Sequence, residues 1–115
     1  MVSVDDLKEF GIDGPSDGKF LIDVFTVWCG PCKFVAPILH KLRDEGLISL
    51  VQVDLDQNRP LGERFGIHAI PTLLFFKDGQ LLNGVIEVQG QPLVRNGIMV
   101  GAAGEAVLRE IINKM

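Results

Sequence analysis

The run KFLIDVFTV (19–27) is apolar at nearly every position and rich in β-formers, and a few residues later the spacing of the apolar positions changes. A strand with one wet face would alternate, so this run predicts a strand covered on both faces. From Pro31 onward, Phe34, Val35, Ile38, Leu39 and Leu42 recur at helical spacing, with Lys33, Lys41, Arg43, Asp44 and Glu45 mostly on the other side. Pro31 suits the first helical position, where its missing N–H is harmless. Pro37 is expected to kink this helix and Gly46 to end it. A covered strand passing straight into an amphipathic helix calls for a second, parallel strand on the far side of that helix.

LISLVQVDL (47–55) supplies it and reads as a second buried strand. RPLGERFG (59–66) reads as a short helix stopped by Gly66, TLLFF (72–76) as a third strand, and KDG (77–79) as its turn. After Gly104, the positions Val107, Leu108, Ile111, Ile112 and Met115 form the apolar stripe of a closing helix. At the other end Ser3 can cap a short helix over Val4–Phe10, with Asp6 completing a weak capping box, before the loop GIDGPSDG (11–18). The expected class is α/β, a central mixed β-sheet sandwiched by helices. With no repeat, linker or low-complexity tract, residues 1–115 read as a single domain, and 47% hydrophobic against 23% charged residues allows a core without staples.

A net charge of -4 offers no basic footprint, so nucleic acid is not an expected partner. No apolar run approaches the ~18 residues needed to span a bilayer. The beginning, MVSVDDLKEF, lacks the basic and apolar regions of a secretory signal, and the expected location is cytoplasmic. In a reducing compartment the only two cysteines, Cys29 and Cys32 in TVWCGPCKFV (26–35), are more often catalytic or metal-binding than structural.

Three chemistries compete for that pair. A closed zinc site needs four ligands, and the remaining candidates, His40 and His68, are far apart; His40 reads as a solvated helix residue and His68 as a loop residue, so no metal is expected. A structural clasp fails on magnitude: on the chain-entropy account so small a loop contributes about 2 kcal/mol, against ~4.7 for a 100-residue loop. Redox exchange fits the surroundings. The strand-to-helix junction puts Cys29 at the helix N-terminus, where unpaired N–H groups and the dipole favour thiolate. While the thiol pKa stays above ambient pH, each unit it falls raises the thiolate fraction about tenfold. Intrinsic nucleophilicity falls only about threefold, so attack gains.

WCGPCK (28–33), preceded by FLIDVF and followed much later by IPT (70–72), resembles the thioredoxin family from about Lys19 to Lys77, and again at VGA (100–102) and the last helix. The resemblance implies the thioredoxin fold and a reductase of disulfides in protein substrates, working through a reversible Cys29–Cys32 dithiol/disulfide. It implies that Cys29 attacks and Cys32 resolves, and that no bound cofactor is needed. Recycling would fall to a thioredoxin reductase, in the family usually a flavoprotein using NADPH, and the chain would be a monomer. Trp28 matches the residue flanking the substrate groove, although an ordinary core tryptophan is the plainer reading. Pro71 matches the family's cis-proline, which would leave Ile70 to offer backbone groups to an extended peptide. On the plainer view Pro71 starts an edge strand. Gly30, Pro31, Ala69, Val100, Gly101 and Ala102 would complete the groove.

Asp23 is anomalous without any family, because a carboxylate inside FLIDVF must be paired or excluded from the core. By alternation it can face solvent from an edge strand; the resemblance implies instead a buried group behind Cys32 that relays its proton. Two departures bear on this. Gln52 stands where well-known members carry a lysine across from that aspartate, and the first strand is short or missing. In addition, LLNGVIEVQGQPLVRNGI (81–98) is longer than the family's usual link and reads as an extended β-hairpin, VIEV and LVRNGIMV flanking the turn QGQP. It is either edge decoration or an element that selects partners. Two rivals remain: an oxidase or isomerase of the same fold, which generally carries His between its cysteines, and a binding module whose cysteines are incidental.

Overall fold

The helix that follows the first apolar run does cross between two parallel strands. The computed structural model describes residues 2–115. After a 3-10 helix over Val4–Phe10, the chain forms β1 (Lys19–Phe25), α1 (Gly30–Asp44) and β2 (Ser49–Asp54). A 3-10 turn over Leu55–Gln57 then leads to α2 (Arg59–Phe65), β3 (Thr72–Lys77) and β4 (Gln80–Leu81). Strands β5 (Val85–Val88), β6 (Gln91–Arg95) and β7 (Ile98–Val100) precede α3 (Glu105–Asn113). The sheet runs β2-β1-β3-β7-β6-β5, with β4 on the far end of β3. Only β1 and β2 are parallel; the other pairings are antiparallel.

Both faces are covered, as the continuous apolar strands require. Leu21, Leu73 and Phe75 pack on Val35, Leu39 and Leu42 of α1 and Leu108, Ile111 and Ile112 of α3. Phe20, Ile22, Val24, Leu74 and Phe76 pack on Leu7 and Leu61 from the opposite side. Each such side chain taken from water contributes about 1.5–3 kcal/mol. α1 opens with Pro31 in its first turn and continues through Pro37. It ends where Gly46 takes a φ of 81° and its N–H reaches Arg43 O at 2.9 Å. Asp6 Oδ2 accepts from Ser3 N–H at 2.8 Å, half of the capping box, and Ser3 makes a single bridge to Gln80 where a first strand would lie.

Two readings need correction. The segment 47–55 is not a buried strand: β2 is the sheet's edge, with Val53 buried, Leu50 and Val51 half-buried, and Ser49 and Gln52 exposed. Among the described residues no strand lies beyond it, so its apolar residues need cover only from β1 and the layers on either face. The expected hairpin in 81–98 is present as β5 and β6 around Gln89–Gly90, but LVRNGIMV is not one strand: the chain turns again into β7, giving a three-stranded meander, β5-β6-β7. Its turns are Gln89–Gly90 (φ 53° and 77°) and Asn96–Gly97 (φ 49° and 80°), paired left-handed residues that suit a two-residue hairpin. Asn96–Gly97 thus breaks LVRNGIMV into two strands. A side chain at position 97 would also strike Leu81, since a Cβ there comes within 2.6 Å of Leu81 Cδ1. The meander is anchored: Val88 and Val94 join the core beside α3, and Lys114 Nζ donates to Glu87 O at 2.7 Å. No helix among the described residues is long and apolar enough to cross a membrane.

Candidate active site

β1 ends in the loop Thr26–Trp28, which delivers Cys29 to the N-cap of α1. Cys29 N–H donates to Thr26 O at 3.3 Å, and Cys29 Sγ accepts from Cys32 N–H at 3.2 Å. Cys29 and Cys32 form a disulfide with a Cα–Cα separation of 5.3 Å. Cys29 and Cys32 are almost equally buried in this oxidised form, 4% and 3% exposed. One bond holds both sulfurs, so they share one cover. Gly30 and Pro31 between them are exposed.

Trp28 is no core tryptophan. It is 69% exposed, and its Nε1–H donates to Asp56 Oδ2 at 3.0 Å. Asp56 is held in turn by its own N–H on Asp54 Oδ1 at 2.9 Å. Phe34, assigned by spacing to the apolar stripe of α1, is instead 58% exposed two residues beyond Cys32.

The Ile70–Pro71 bond is cis, and Pro71 is buried immediately before β3, a central strand and not an edge. Thr72 stands in register with Val24 of β1 and with Val100 of β7, and Gly101 N–H donates to Pro71 O at 2.8 Å. This register brings the cysteine loop, Ile70–Pro71 and Val100–Gly101 to one end of the sheet. There Ala69, Val100 and Ala102 are exposed, and Ile70 and Gly101 are half-buried.

Asp23 is fully buried on β1, and the solvent-facing alternative falls because β1 lies inside the sheet. Its Oδ2 accepts from Gln52 Nε2 at 3.0 Å, while its Oδ1 and the hydroxyl of Thr26 have no protein partner. Asp23, Thr26, Cys32, Lys33 and Gln52 line one recess of about 350 Å³. Burial pushes the Asp23 carboxyl above its usual value; the Gln52 hydrogen bond and His40 pull the other way.

His40 is where the reading of the sequence fell short. Its Nε2 lies 2.7 Å from Gln52 Oε1, so it is tied to the aspartate's neighbour rather than simply solvated. Cys32, Ala36 and His40 follow at four-residue intervals along one ridge of α1, which is the signal that was available. His68 is an exposed loop residue.

A disulfide spanning one helical turn is a poor clasp and, at a helix N-terminus with a buried carboxylate in the same recess, a good electron carrier; the chain is a thiol-disulfide oxidoreductase of the CxxC, α/β class. The family model described as Thioredoxin matches residues 6–99. The chain is 36% identical over 101 residues to the thioredoxin of Bacillus subtilis, covering 86% of this chain and 84% of that one. It is 41% identical over 73 residues to thioredoxin 1 of a Nostoc species, covering 62% and 68%. The crystal structure of Fasciola hepatica thioredoxin superposes with a TM-score of 0.67 at 28% identity, covering 96% of this chain and 88% of that one. The chain belongs to the thioredoxin family.

Proposed function

We propose that this protein reduces disulfides in protein substrates, with Cys29 as the attacking thiol and Cys32 as the resolving one. The Cys29 thiolate attacks one sulfur of the substrate disulfide. The other substrate sulfur leaves as thiolate, and a mixed disulfide forms. Cys32 gives its proton to Asp23 and attacks Cys29 Sγ. The second substrate sulfur leaves and takes up a proton, two electrons have passed to the substrate, and the Cys29–Cys32 disulfide remains. A thioredoxin reductase would restore the dithiol.

The observation that carries this reading is the N–H of Cys32 aimed at Cys29 Sγ at 3.2 Å on the first turn of α1. In the reduced protein that donor and the helix dipole stabilise the thiolate. Asp23 suits the base because burial raises its affinity for a proton and Oδ1 is free to take one. Trp28, Gly30, Pro31, Ala69, Ile70, Pro71, Val100, Gly101 and Ala102 would form the groove, Ile70 pairing with an extended substrate backbone. We place the protein in the cytoplasm as a monomer. Insulin reduction with dithiothreitol tests the function. Precipitation should run faster than the uncatalysed rate, and Cys29→Ser should abolish the gain; a module with incidental cysteines would give no gain at all.

A further inference from the structure

The carboxamide of Gln52 stands between two partners that restrict it differently. An ionised Asp23 can only accept, so Gln52 must turn its NH2 inward, as the 3.0 Å contact from Nε2 to Oδ2 has it. Its carbonyl oxygen then faces outward and can only accept, so the 2.7 Å contact there requires a hydrogen on His40 Nε2. The three side chains form one directed chain from the surface of α1 to the buried carboxylate. Reversed, the carboxamide would present its oxygen to Asp23 and suit only the protonated acid.

We propose that His40 is a positioning residue for thiol-disulfide exchange: it holds Gln52 with its donor end on Asp23. A protonated imidazole one amide away would also favour the Asp23 carboxylate. Where a lysine would supply a full charge beside Asp23, this chain uses a neutral amide held by an imidazole N–H. The proposal rests on the reading of Asp23 as the base that receives the Cys32 proton.

Few other charges compete. α1 contributes Cys32 and the exposed Lys33, which share the recess with Asp23. Asp44, one turn beyond His40, is paired with Arg43 at 3.1 Å. β2 places Gln52 across from Asp23 and, two residues on along the same face, Asp54, whose Oδ1 accepts from Asp56 N–H; β3 places the apolar Leu73 across from Asp23.

The test is titration of the Asp23 carboxyl carbon by carbon-13 NMR in the oxidised, full-length protein, where the cysteines do not titrate and cannot couple to it. Removing a partly screened charge one amide away should raise the Asp23 midpoint in His40→Leu by about half a unit to one unit. His40→Lys, which keeps a donor and a charge, should hold the midpoint at or below that of the unaltered protein. His40→Gln, a donor without charge, should fall between. A midpoint unmoved in folded His40→Leu, or raised as much in His40→Lys, overturns the proposal. Single-turnover kinetics of mixed-disulfide resolution in Asp23→Asn are read alongside. Resolution unslowed there would remove Asp23 as the base whatever its titration shows, so the two failures are told apart.

Discussion

Gln52 lies directly across from Asp23 in the parallel register of β1 and β2 and donates to its Oδ2 at 3.0 Å, a neutral hydrogen bond at a place where a full positive charge would fit. An amide favours the carboxylate, but less than an ammonium does, so desolvation keeps the Asp23 carboxyl raised. Gln52→Lys should therefore lower the Asp23 midpoint by about one unit or more. Titration of the carboxyl carbon checks this, and an unchanged midpoint would mean that the new ammonium does not reach it.

Asp23→Asn should separate the two steps of the reaction. Loss of a positioned base should slow mixed-disulfide resolution near neutral pH by about 10- to 100-fold. The first attack by Cys29 should be little affected. Rapid-quench measurement of the two phases would decide, and equal slowing of both would contradict the assignment.

The same substitution carries a stability signature with a fixed sign. The folded Asp23 value lies above its usual 3.8, so its contribution to folding is fully present below that pH and is lost as pH rises through the folded value. Asn has no such loss. Asp23→Asn should thus match the unaltered protein at low pH and exceed it by about 1–3 kcal/mol at pH 8. Denaturant melts across pH provide the check; an advantage that shrank as pH rose would have the wrong sign.

Replacing the β5–β6 extension by a short turn should leave insulin reduction by the folded fraction nearly intact. The cysteine loop, Ile70–Pro71 and Val100–Gly101 all lie on elements that remain. Stability should fall, because Val88 and Val94 are buried against α3 and each contributes about 1.5–3 kcal/mol. Activity lost in a still-folded trimmed protein would show instead that the meander shapes the groove.

How much of this was legible in the sequence depended on whether a local pattern decided it. The passage from KFLIDVFTV into the helical stripe read from Phe34 onward is a change of period, and β1, α1 and the N-cap position of Cys29 followed from it. The place of β2 at the sheet's edge did not, because an apolar run reports cover above and below a strand but not a neighbour beside it. The turn at Gln89–Gly90 was read from QGQP, whereas the turn at Asn96–Gly97, legible through its residue pair, was missed because LVRNGIMV reads as one apolar strand. Phe34 shows that helical spacing marks a stripe without saying which part of it the sheet reaches. The tie of His40 to Gln52 is tertiary: the four-residue spacing puts His40 on the ridge of Cys32, but which β2 residue it meets depends on how α1 crosses β2.

The division of labour between the two cysteines is tested most directly by trapping the intermediate. Cys32→Ser, reduced and mixed with a protein disulfide, should accumulate a mixed disulfide on Cys29 that mass spectrometry locates, because the thiol that would release it is gone. Cys29→Ser under the same conditions should form almost none. A mixed disulfide that accumulated on Cys32 in Cys29→Ser, and not on Cys29 in Cys32→Ser, would reverse the assignment and contradict the mechanism.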